Sequence, residues 1–363
     1  MKKIVVAAMS GGVDSSVAAL YCRELGYEVI GATLKLKHPD PEFSAMQKCA
    51  ADDDGRAVEA VCEKLGIRHI FLDAFADFER EILYPSYEEY AHGKTPNPCT
   101  FCNAKIKFAK LIAYADSIGA EFVATGHYAR LKTLPDGSVQ VFRGSDPVKD
   151  QTYFLYRLTR EQLQRVRFPI GELEKSRVRE LARQAGLVTA DRKDSQDACF
   201  QAENECFPET LRRLVGAEPQ RGRIVANGKI VGKHEGIHRY TLGQRKGLGV
   251  ALGVPAYVSR IDPERNIIEL STDERVLGCK TFRVLDPVFT QGALPVKEFQ
   301  ASVQVRYRSK AVPCTVMPLA DGTLQVSLYH ELRAVTPGQA AVFYDGDLLL
   351  GGGIIDRESS PLC

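Results

Sequence analysis

The sequence lacks several features that would place it in a broad class at once. No apolar run approaches the length of a membrane span, and a formal net charge of +2 is too small to indicate a partner by itself. No low-complexity segment or convincing internal repeat is present. The N-terminal Met-Lys-Lys precedes only a short apolar run, which is typical of a first strand and not of a signal peptide. We therefore expect a soluble, cytoplasmic protein with no membrane partner.

Two common nucleotide-binding signatures are also absent. No Gly-Lys-Ser/Thr follows the first glycines, so a Walker A loop is excluded there, and no G-x-G-x-x-G pattern opens the chain. In their place stand the seven residues from Ser10 to Ser16, SGGVDSS, between a short apolar run and a stretch with helical spacing. Such a turn directs free backbone N–H groups and the positive end of the helix dipole at one point. The turn is therefore predicted to bind an anion, most naturally a phosphate.

The order of apolar and amphipathic segments predicts the fold class. The 363 residues are 44% hydrophobic and 26% charged, which is ordinary for a globular chain of two or three domains. In the first third, short apolar runs alternate with helical stretches, so we expect a parallel α/β sheet with flanking helices. The predicted strands are 4–8, 29–34, 69–72 and 122–125, and the predicted helices lie near 14–25, 55–65, 77–91 and 102–118.

The rest of the chain changes character. A hairpin is predicted at 129–143 around Asp136-Gly137, the pattern is then helical to about residue 214, and strands dominate from 222 onward. Asn227-Gly228, Asp321-Gly322 and Asp345-Gly346 predict three further hairpins. We expect a catalytic domain at 1–210, a central β-rich domain at 211–282 and a C-terminal β-barrel domain at 283–363.

Ten cysteines are many for a reducing compartment, where they suggest metal, cluster or thiol chemistry before disulfides. Cys99 and Cys102 form a C-x-x-C pair at the proline-rich entry to a predicted helix, and the helix dipole there favours a thiolate at Cys102. Cys199 lies in a polar loop. A small, buried and inert thiol is the commoner fate of a cysteine, and we expect it for Cys22, Cys49, Cys62, Cys206, Cys279 and Cys314.

These residues together resemble the tRNA-specific 2-thiouridylases, over essentially the whole chain. The resemblance rests on the order and spacing of short segments at 10–16, 95–98, 102–103, 124–128, 149–151, 194–195, 199–200, 241–249, 336–339 and 351–355. The family has a PP-loop, in a fold resembling the adenine nucleotide alpha-hydrolases, followed by two β-rich domains. It replaces the C2 oxygen of the wobble uridine by sulfur: ATP adenylylates the oxygen, pyrophosphate leaves, and sulfur then displaces AMP.

The resemblance also implies roles for single residues. It implies that Mg²⁺-ATP is bound by Ala8, Met9, Ser10, Gly11, Gly12, Val13, Asp14 and Ser15, with Leu34 and Gly126 facing the nucleotide. Asn97, Pro98 and Cys99 match the segment that contacts the target base, Cys102 the nucleophile and Cys199 the persulfide carrier. The positions that match tRNA contacts, around the anticodon stem-loop, are His127, Lys149, Asp150, Gln151, Arg306, Tyr307 and Gln339.

Position 99 departs from the commonest family pattern, in which it is aspartate. With Cys99 present, Cys99, Cys102 and Cys199 would form a three-thiolate set, which favours a 4Fe–4S cluster with one open iron, or less readily a zinc ion. The alternative is that Cys99 only fills the space of the aspartate, while Cys199 carries a persulfide that Cys102 resolves. The sulfur donor stays open between a cysteine desulfurase, a sulfur carrier and free sulfide.

Basic residues are concentrated in the second half of the chain. Against a single acid, Glu235, residues 221–250 contain Arg221, Arg223, Lys229, Lys233, Arg239, Arg245 and Lys246. Arg306, Arg308 and Lys310 flank Tyr307 in the same way. A solvated basic face would explain the charges alone, but an RNA backbone explains both their sign and their segregation, and an aromatic ring there can stack on a base.

Two other functions are compatible with part of this pattern. A small-molecule PP-loop ligase that forms AMP would share the phosphate loop, but it has no need of the three cysteines or of basic β-domains. A non-catalytic RNA-binding protein with a cluster as redox sensor would explain the cysteines, but not the complete phosphate loop.

Overall fold

The computed structural model describes residues 2–38, 51–194, 199–202 and 205–356, and for residues 51–54 the backbone only. Within these ranges, a five-stranded parallel sheet in the order β3-β2-β1-β4-β7 forms the first part of the chain. Cys49 and Ser195 lie outside the described residues. The first seven strands are β1 Ile4–Ala8, β2 Glu28–Lys35, β3 Arg68–Asp73, β4 Val123–Ala124, β5 Ala129–Thr133, β6 Val139–Arg143 and β7 Val166–Arg167.

Helices cover both faces of this sheet. The α-helices of the described residues, on the sheet and beside it, are α1 Val13–Glu24, α2 Ala51–Leu65, α3 Phe75–Phe78, α4 Tyr84–Ala91, α5 Pro98–Phe101, α6 Ala109–Ser117, α7 Arg160–Gln164, α8 Lys175–Gln184 and α9 Phe207–Leu214. Two π-helical stretches make longer continuous helices: Glu79–Leu83 joins α3 to α4, and Cys102–Phe108 joins α5 to α6. Short 3₁₀ turns lie at Thr152–Phe154, Ile237–Arg239 and Glu274–Leu277.

The central strand β1 is buried on both faces of the sheet. Val5, Val6 and Ala7 are at most 1% exposed, because α1 and α8 pack on one face and α6 on the other. An uninterrupted apolar run is what a parallel strand covered on both faces requires. The four strands predicted from such runs are confirmed, whereas β7 was not predicted because it contains only two residues.

The segment from 222 to 271 forms a separate four-stranded sheet in the order β10-β11-β8-β9. Its strands are β8 Gly222–Ala226, β9 Lys229–His234, β10 Tyr257–Asp262 and β11 Ile267–Ser271. The β8–β9 turn has Asn227 and Gly228 at φ values of 49° and 72°, which is the left-handed pair that a tight hairpin needs. The hairpin predicted at Asn227-Gly228 is therefore confirmed.

The last six strands close into a barrel. They are β12 Gly278–Phe289, β13 Phe299–Gln304, β14 Val312–Pro318, β15 Leu324–Arg333, β16 Ala340–Asp345 and β17 Leu348–Ile355. The strand order is β12-β15-β14-β13-β16-β17, and β12 pairs again with β17 to close the ring. The β-rich second half is therefore confirmed. Residue 210 lies within α9 and residue 282 within β12, so each expected domain limit falls in an element and not in a linker.

The hairpin β5–β6 connects the region of the parallel sheet to the C-terminal barrel. Although it follows β4 of the parallel sheet directly, it extends the barrel sheet, because Val141 and Phe142 of β6 pair with Leu349 and Leu348 of β17. Within the described ranges, no helix has the length and apolarity needed to cross a membrane.

Candidate functional site

The turn between β1 and α1 has the geometry of a phosphate-binding loop. Gly11 has φ of 76°, a backbone conformation that side-chain-bearing residues rarely adopt. Gly12 caps α1 without a side-chain hydrogen bond, so the first N–H groups of the helix are not capped from within. The hydroxyl of Ser15 donates to Gly12 O at 3.0 Å and accepts from Ser10 N at 3.2 Å, which holds the loop closed. An anion can therefore bind on the helix N-terminus.

Gly126 lies directly against this loop. A Cβ atom at position 126 would stand 2.6 Å from the carbonyl carbon of Asp14 and 2.7 Å from Ser15 N. Because backbone atoms cannot yield to such a contact, only glycine fits there. Gly126 follows β4, the neighbour of β1, so two adjacent strand ends form the wall of the loop.

The carboxylate of Asp14, in the first turn of α1, is held by two residues to which no role was assigned from the sequence. Lys175 Nζ lies 2.7 Å from Asp14 Oδ1 and 2.8 Å from Asp14 Oδ2. Tyr128 donates its hydroxyl to Asp14 Oδ1 at 2.8 Å. Burial and the nearby Asp14 charge raise the pKa of Tyr128 well above its ordinary value, so this phenol stays a hydrogen-bond donor.

Asp194 links the same lysine to the segment that leads to Cys199. It accepts from Lys149 Nζ at 2.6 Å, from Arg179 at 2.8 Å and from Lys175 Nζ at 2.9 Å. Burial alone would raise the pKa of Asp194, but the hydrogen bonds from Lys149 and Lys175 outweigh it and hold the pKa at about 2. Asp194 is therefore ionised over the whole physiological range.

The strand next to the phosphate loop also reaches the thiols. Thr33 of β2 donates its hydroxyl to Met9 O at 2.8 Å, which ties the strand to the loop. Leu34, the following residue, packs against the apolar cluster that contains Cys102 and against which Cys199 packs. The phosphate loop and the cluster that contains the two thiols therefore both lie at the carboxyl end of β2.

The position and protonation of Cys102 differ from the prediction. The helix begins at Pro98, with Asn97 as its N-cap, so Cys102 lies one turn inside and not at the N-terminus. Burial raises the pKa of Cys102 to about 12; the Lys107 ammonium opposes this shift, and the neighbouring Cys199 and Cys99 thiols add to it. The expectation that the helix dipole favours the thiolate of Cys102 is therefore wrong, because loss of hydration dominates.

Cys99, in the first turn of the helix, is partly exposed. Burial of its thiol raises its pKa too, again against the Lys107 charge. Cys99, Cys102 and Cys199 influence one another electrostatically, and all three are free thiols. However, among the described residues no three His, Cys, Asp or Glu side chains form a group that could hold a metal ion. The described thiols therefore do not form the ligand set that the predicted iron–sulfur cluster or the zinc ion would need.

His127 is neutral at physiological pH. Burial lowers its pKa to about 3, with a further contribution from Lys107, and Thr125 Oγ1 lies 2.8 Å from its Nδ1. The ring packs against Phe108 and Phe168, with centroid distances of 5.7 and 5.8 Å. A neutral, partly exposed imidazole can hydrogen-bond to an RNA group but adds no charge to the site.

The segment 149–151 is anchored from within the protein. The carboxylate of Asp150 accepts from Arg143 at 2.7 Å and from the Thr152 hydroxyl at 2.9 Å. Gln151 accepts from Tyr128 N at 3.1 Å through its Oε1. Asp150 therefore stabilises the shape of the segment, whereas the side-chain N–H groups of Gln151 have no hydrogen-bond acceptor among the described residues.

Three more expected tRNA contacts lie in the barrel. Arg306 is exposed, and one of its terminal nitrogens donates to Ala334 O at 2.6 Å. Tyr307 is partly buried against Phe154, at a centroid distance of 4.3 Å. Gln339 approaches the segment of the target-base contacts and donates to Thr95 O at 2.8 Å. Each of the three side chains therefore contacts the protein itself and is also at least partly exposed to solvent.

The basic residues of the central sheet are at the surface. All seven side chains of 221–250 are exposed, and Arg221 pairs with Glu235 at 2.8 Å. This surface has the charge that a nucleic acid backbone requires.

Sequence reasoning missed Lys175, Lys107 and Tyr128. Lys175 and Tyr128 contact Asp14 across 161 and 114 residues of sequence, and such separation leaves no local signal. One hint existed for Lys175: a lysine at the first position of a helix opposes the helix dipole. Lys107 acts on the thiols through space from the π-helical stretch that follows Cys102.

Comparison with known protein families assigns all three parts of the chain. Residues 2–203 match the family described as tRNA methyl transferase HUP domain. Residues 209–272 match the tRNA methyl transferase PRC-barrel domain, and residues 279–355 the aminomethyltransferase beta-barrel domain. The parallel sheet lies within the first range and the central sheet within the second, and the closed barrel coincides with the third except for Gly278.

Curated relatives match along the whole chain. The tRNA-specific 2-thiouridylase MnmA of Geobacter metallireducens is 42% identical over 360 residues, 98% of this chain and 97% of that protein. The enzymes of the same name from Francisella philomiragia and from a Shewanella species are 41% and 43% identical, over 97% and 98% of this chain and 98% and 96% of theirs.

Proposed function

The chain belongs to the family of tRNA-specific 2-thiouridylases, and we propose that it uses ATP to replace the C2 oxygen of the wobble uridine in tRNA by sulfur. It is a tRNA-uridine sulfurtransferase that converts ATP to AMP and pyrophosphate and yields 2-thiouridine. For the domains we keep the limits expected from the sequence: a catalytic domain at 1–210, a central domain at 211–282 and a barrel domain at 283–363.

The observation that supports this function best is that the phosphate loop and the cluster containing the thiols lie at the same end of β2. Thr33 binds the loop at Met9 O, and the next residue, Leu34, packs in the cluster shared by Cys102 and Cys199. A small-molecule ligase needs the first of these sites but not the second. The proposed reaction has two steps on the same base, the first with ATP phosphorus and the second with sulfur. The base must therefore be able to reach both the phosphate loop and the thiols.

In the first half-reaction the uridine O2 attacks the α-phosphorus of ATP. A bond forms between O2 and phosphorus, the bond from phosphorus to the bridging oxygen breaks, and pyrophosphate leaves with the electron pair. The first N–H groups of α1, beside Gly11 and Gly12, bind the phosphates. Mg²⁺ fits this site because it prefers one carboxylate with phosphate oxygens; Asp14 would hold it, and the ion would neutralise charge on the leaving pyrophosphate.

In the second half-reaction sulfur replaces the activated oxygen. We assign the persulfide to Cys199 and its resolution to Cys102: the terminal sulfur attacks C2, AMP leaves, and the Cys102 thiolate releases the sulfur by forming a disulfide with Cys199. Because the pKa of Cys102 is about 12 in the free protein, its proton must be lost during the reaction, and the Lys107 ammonium favours that loss. No step is assigned to a cluster.

A cysteine desulfurase or a sulfur carrier can transfer persulfide sulfur to Cys199, which is partly exposed. Free sulfide, the third candidate donor, would instead attack the adenylylated C2 directly and displace AMP without loading Cys199. The exposed basic surface of 221–250 is assigned to the tRNA backbone. Asn97, Pro98 and Cys99, in the first turn of the helix that carries Cys102, are assigned to the target base in the anticodon stem-loop. A tRNA substrate also agrees with a cytoplasmic location.

The test measures AMP, pyrophosphate and 2-thiouridine with and without tRNA. We expect pyrophosphate release to depend on tRNA, and nucleoside mass spectrometry to find 2-thiouridine once a sulfur donor is added. Release that depends on a small amine or carboxylate and ignores tRNA would indicate the ligase function. Tight tRNA binding without any ATP turnover would indicate an RNA-binding protein without catalysis.

A further inference from the structure

Lys175 is a buried cation beside the phosphate loop that no assigned role uses. Its ammonium lies 2.7 Å and 2.8 Å from the two carboxylate oxygens of Asp14 and 2.9 Å from Asp194 Oδ1. It also lies 5.8 Å from the centre of the Tyr128 ring. Only 11% of its side chain is exposed, so the charge is held in the protein and not in bulk water.

The placement of Lys175 is unfavourable for local stability. Lys175 is the first residue of α8, where the helix dipole repels its ammonium. Its backbone N–H, by contrast, is satisfied by Asp146 Oδ2 at 3.0 Å. A buried ion pair seldom adds net stability, because the loss of hydration offsets the attraction between the charges. A lysine kept in such a place needs an explanation beyond packing.

The charges around Lys175 supply that explanation. The carboxylates of Asp14 and Asp194 pair with the cations of Lys149, Lys175 and Arg179, while Asp146 accepts from the backbone N–H of Lys175. An ATP polyphosphate on the first N–H groups of α1 adds several negative charges next to Asp14. A cation within reach is then required, and the Lys175 ammonium already contacts the carboxylate at that end of the helix.

We propose that Lys175 is a catalytic residue of the adenylylation step, and that its ammonium contacts the β-phosphate of ATP and then the pyrophosphate that leaves. This assignment rests on the proposed function. As O2 of the base bonds to the α-phosphorus, the bond from that phosphorus to the bridging oxygen breaks and its electron pair goes to pyrophosphate. Lys175 stabilises this developing charge by hydrogen bonding and keeps its own protons; the N3 proton of the base is released to water.

The experiment compares Lys175→Met with the wild-type protein in binding and in rate. Calorimetry measures the dissociation constants of pyrophosphate and AMP separately, and the rate of AMP formation is measured with saturating tRNA. In the variant we expect pyrophosphate to bind at least tenfold more weakly, AMP to bind within twofold of wild type, and AMP formation to fall about 10² to 10³-fold. If Lys175 had only a structural role, its replacement would weaken the binding of pyrophosphate and of AMP to a similar extent.

Arg183→Met is the matched control, because Arg183 lies on the same helix and pairs with the exposed Asp191. It should leave both dissociation constants and the rate unchanged. Retained tRNA affinity shows that the variants are folded. If Lys175→Met does not fold, Lys175→Arg decides: it keeps the charge but displaces it, so pyrophosphate affinity should still fall.

Pyrophosphate affinity and an AMP rate equal to wild type in Lys175→Met, or in Lys175→Arg where only that variant folds, would overturn the proposal. A wild-type protein that forms no AMP with tRNA would instead contradict the proposed function. The pyrophosphate and AMP binding measurements test Lys175 in either case, so the two failures can be told apart.

Discussion

The side-chain amide of Gln339 donates a hydrogen bond of 2.8 Å to the backbone oxygen of Thr95, and so joins the barrel to the segment assigned to the target base. Two further contacts converge on the same residue: Thr95 N donates to Pro337 O at 2.8 Å, and its hydroxyl lies 3.2 Å from that of Thr241. The catalytic, central and barrel regions therefore meet at Thr95, two residues before Asn97.

We expect Gln339→Leu to slow tRNA thiolation about tenfold without changing ATP affinity. The substitution removes donors to Thr95 O and Pro96 O, each worth about 1 kcal/mol, and so loosens the base-contacting segment but not the phosphate loop. Thiolation rate and ATP binding are measured in parallel. Gln325→Leu, which breaks only a 3.5 Å contact inside the barrel, is the control. A parallel loss in both variants would mean that barrel stability, and not the contact at Thr95, controls the rate.

Gly126→Ala should abolish ATP binding. The new methyl group would stand 2.6 Å from the backbone of Asp14 and must displace the N-terminus of α1. The control is Gly55→Ala in α2, where a Cβ has no neighbour within 4 Å and should stabilise the helix by up to about 1 kcal/mol. Calorimetry with ATP and thermal unfolding of both variants check this. Normal ATP affinity in Gly126→Ala would remove Gly126 from the nucleotide site.

Asp194 should make the stability of the protein depend on acid. Its pKa of about 2 lies below the value of about 3.9 for an unfolded chain, so its contribution is complete above pH 4 and disappears as the pH falls through 2. We expect Asp194→Asn to cost about 2 kcal/mol at neutral pH, and the difference from wild type to shrink between pH 4 and pH 2. Asp191→Asn, whose exposed carboxylate pairs only with Arg183 among the described residues, should show little change in thermal midpoint at any pH. A difference for Asp194→Asn that does not vary with pH would contradict the assignment.

Cys99→Asp separates the two schemes for sulfur transfer. Since the three thiols do not form a metal-binding group among the described residues, we expect the variant to keep at least half of the wild-type thiolation rate, and both proteins to contain no stoichiometric iron after anaerobic purification. Iron and sulfide analysis and nucleoside mass spectrometry provide the readouts. Cys102→Ser is the paired variant and should be inactive. Loss of both iron and thiolation in Cys99→Asp would restore the cluster.

The basic surface of the central sheet should determine the salt dependence of tRNA binding. Arg245 and Lys246 are both exposed, and replacing both by alanine should reduce the slope of log affinity against log salt by about one unit for each lost phosphate contact. Arg275→Ala is the control, because Arg275 is exposed but already paired with Asp273. The test is to measure the dissociation constant for tRNA by filter binding at salt concentrations between about 50 and 300 mM. An unchanged slope would mean that the surface is only solvated.

Sequence patterns identified the parallel sheet because each of its main strands is a local apolar run. Ile4–Ala8 was predicted with its observed limits, and the other three predicted strands were placed to within two residues at each end. The phosphate loop was also local, since its glycines and serines lie side by side. In contrast, the pairing of β6 with β17 joins segments about 200 residues apart, and nothing in either strand records its partner.

The protonation of the thiols could not be predicted either, for a different reason. A helix dipole can be inferred from sequence, but the loss of hydration at Cys102 depends on residues such as Phe78 and Phe200 that are distant in the chain. That loss raises the pKa of Cys102 to about 12 and reverses the expected direction. The contact between Lys175 and Asp14 belongs to the same class, because it exists only once α1 and α8 are packed together.

The hairpin β5–β6 has a consequence for the order in which the chain can fold during synthesis. Residues 129–143 leave the ribosome long before β17, yet one edge of β6 pairs only with that last strand. Until residue 349 has emerged, this edge stays open to wrong partners. Pulse proteolysis of ribosome-bound chains should therefore find the hairpin protected only at nearly full length, and early protection would contradict this. A chain whose synthesis ends before β17 would be released with one edge of β6 unpaired. The N-terminal region therefore completes its sheet pairing only when the last strand has been made.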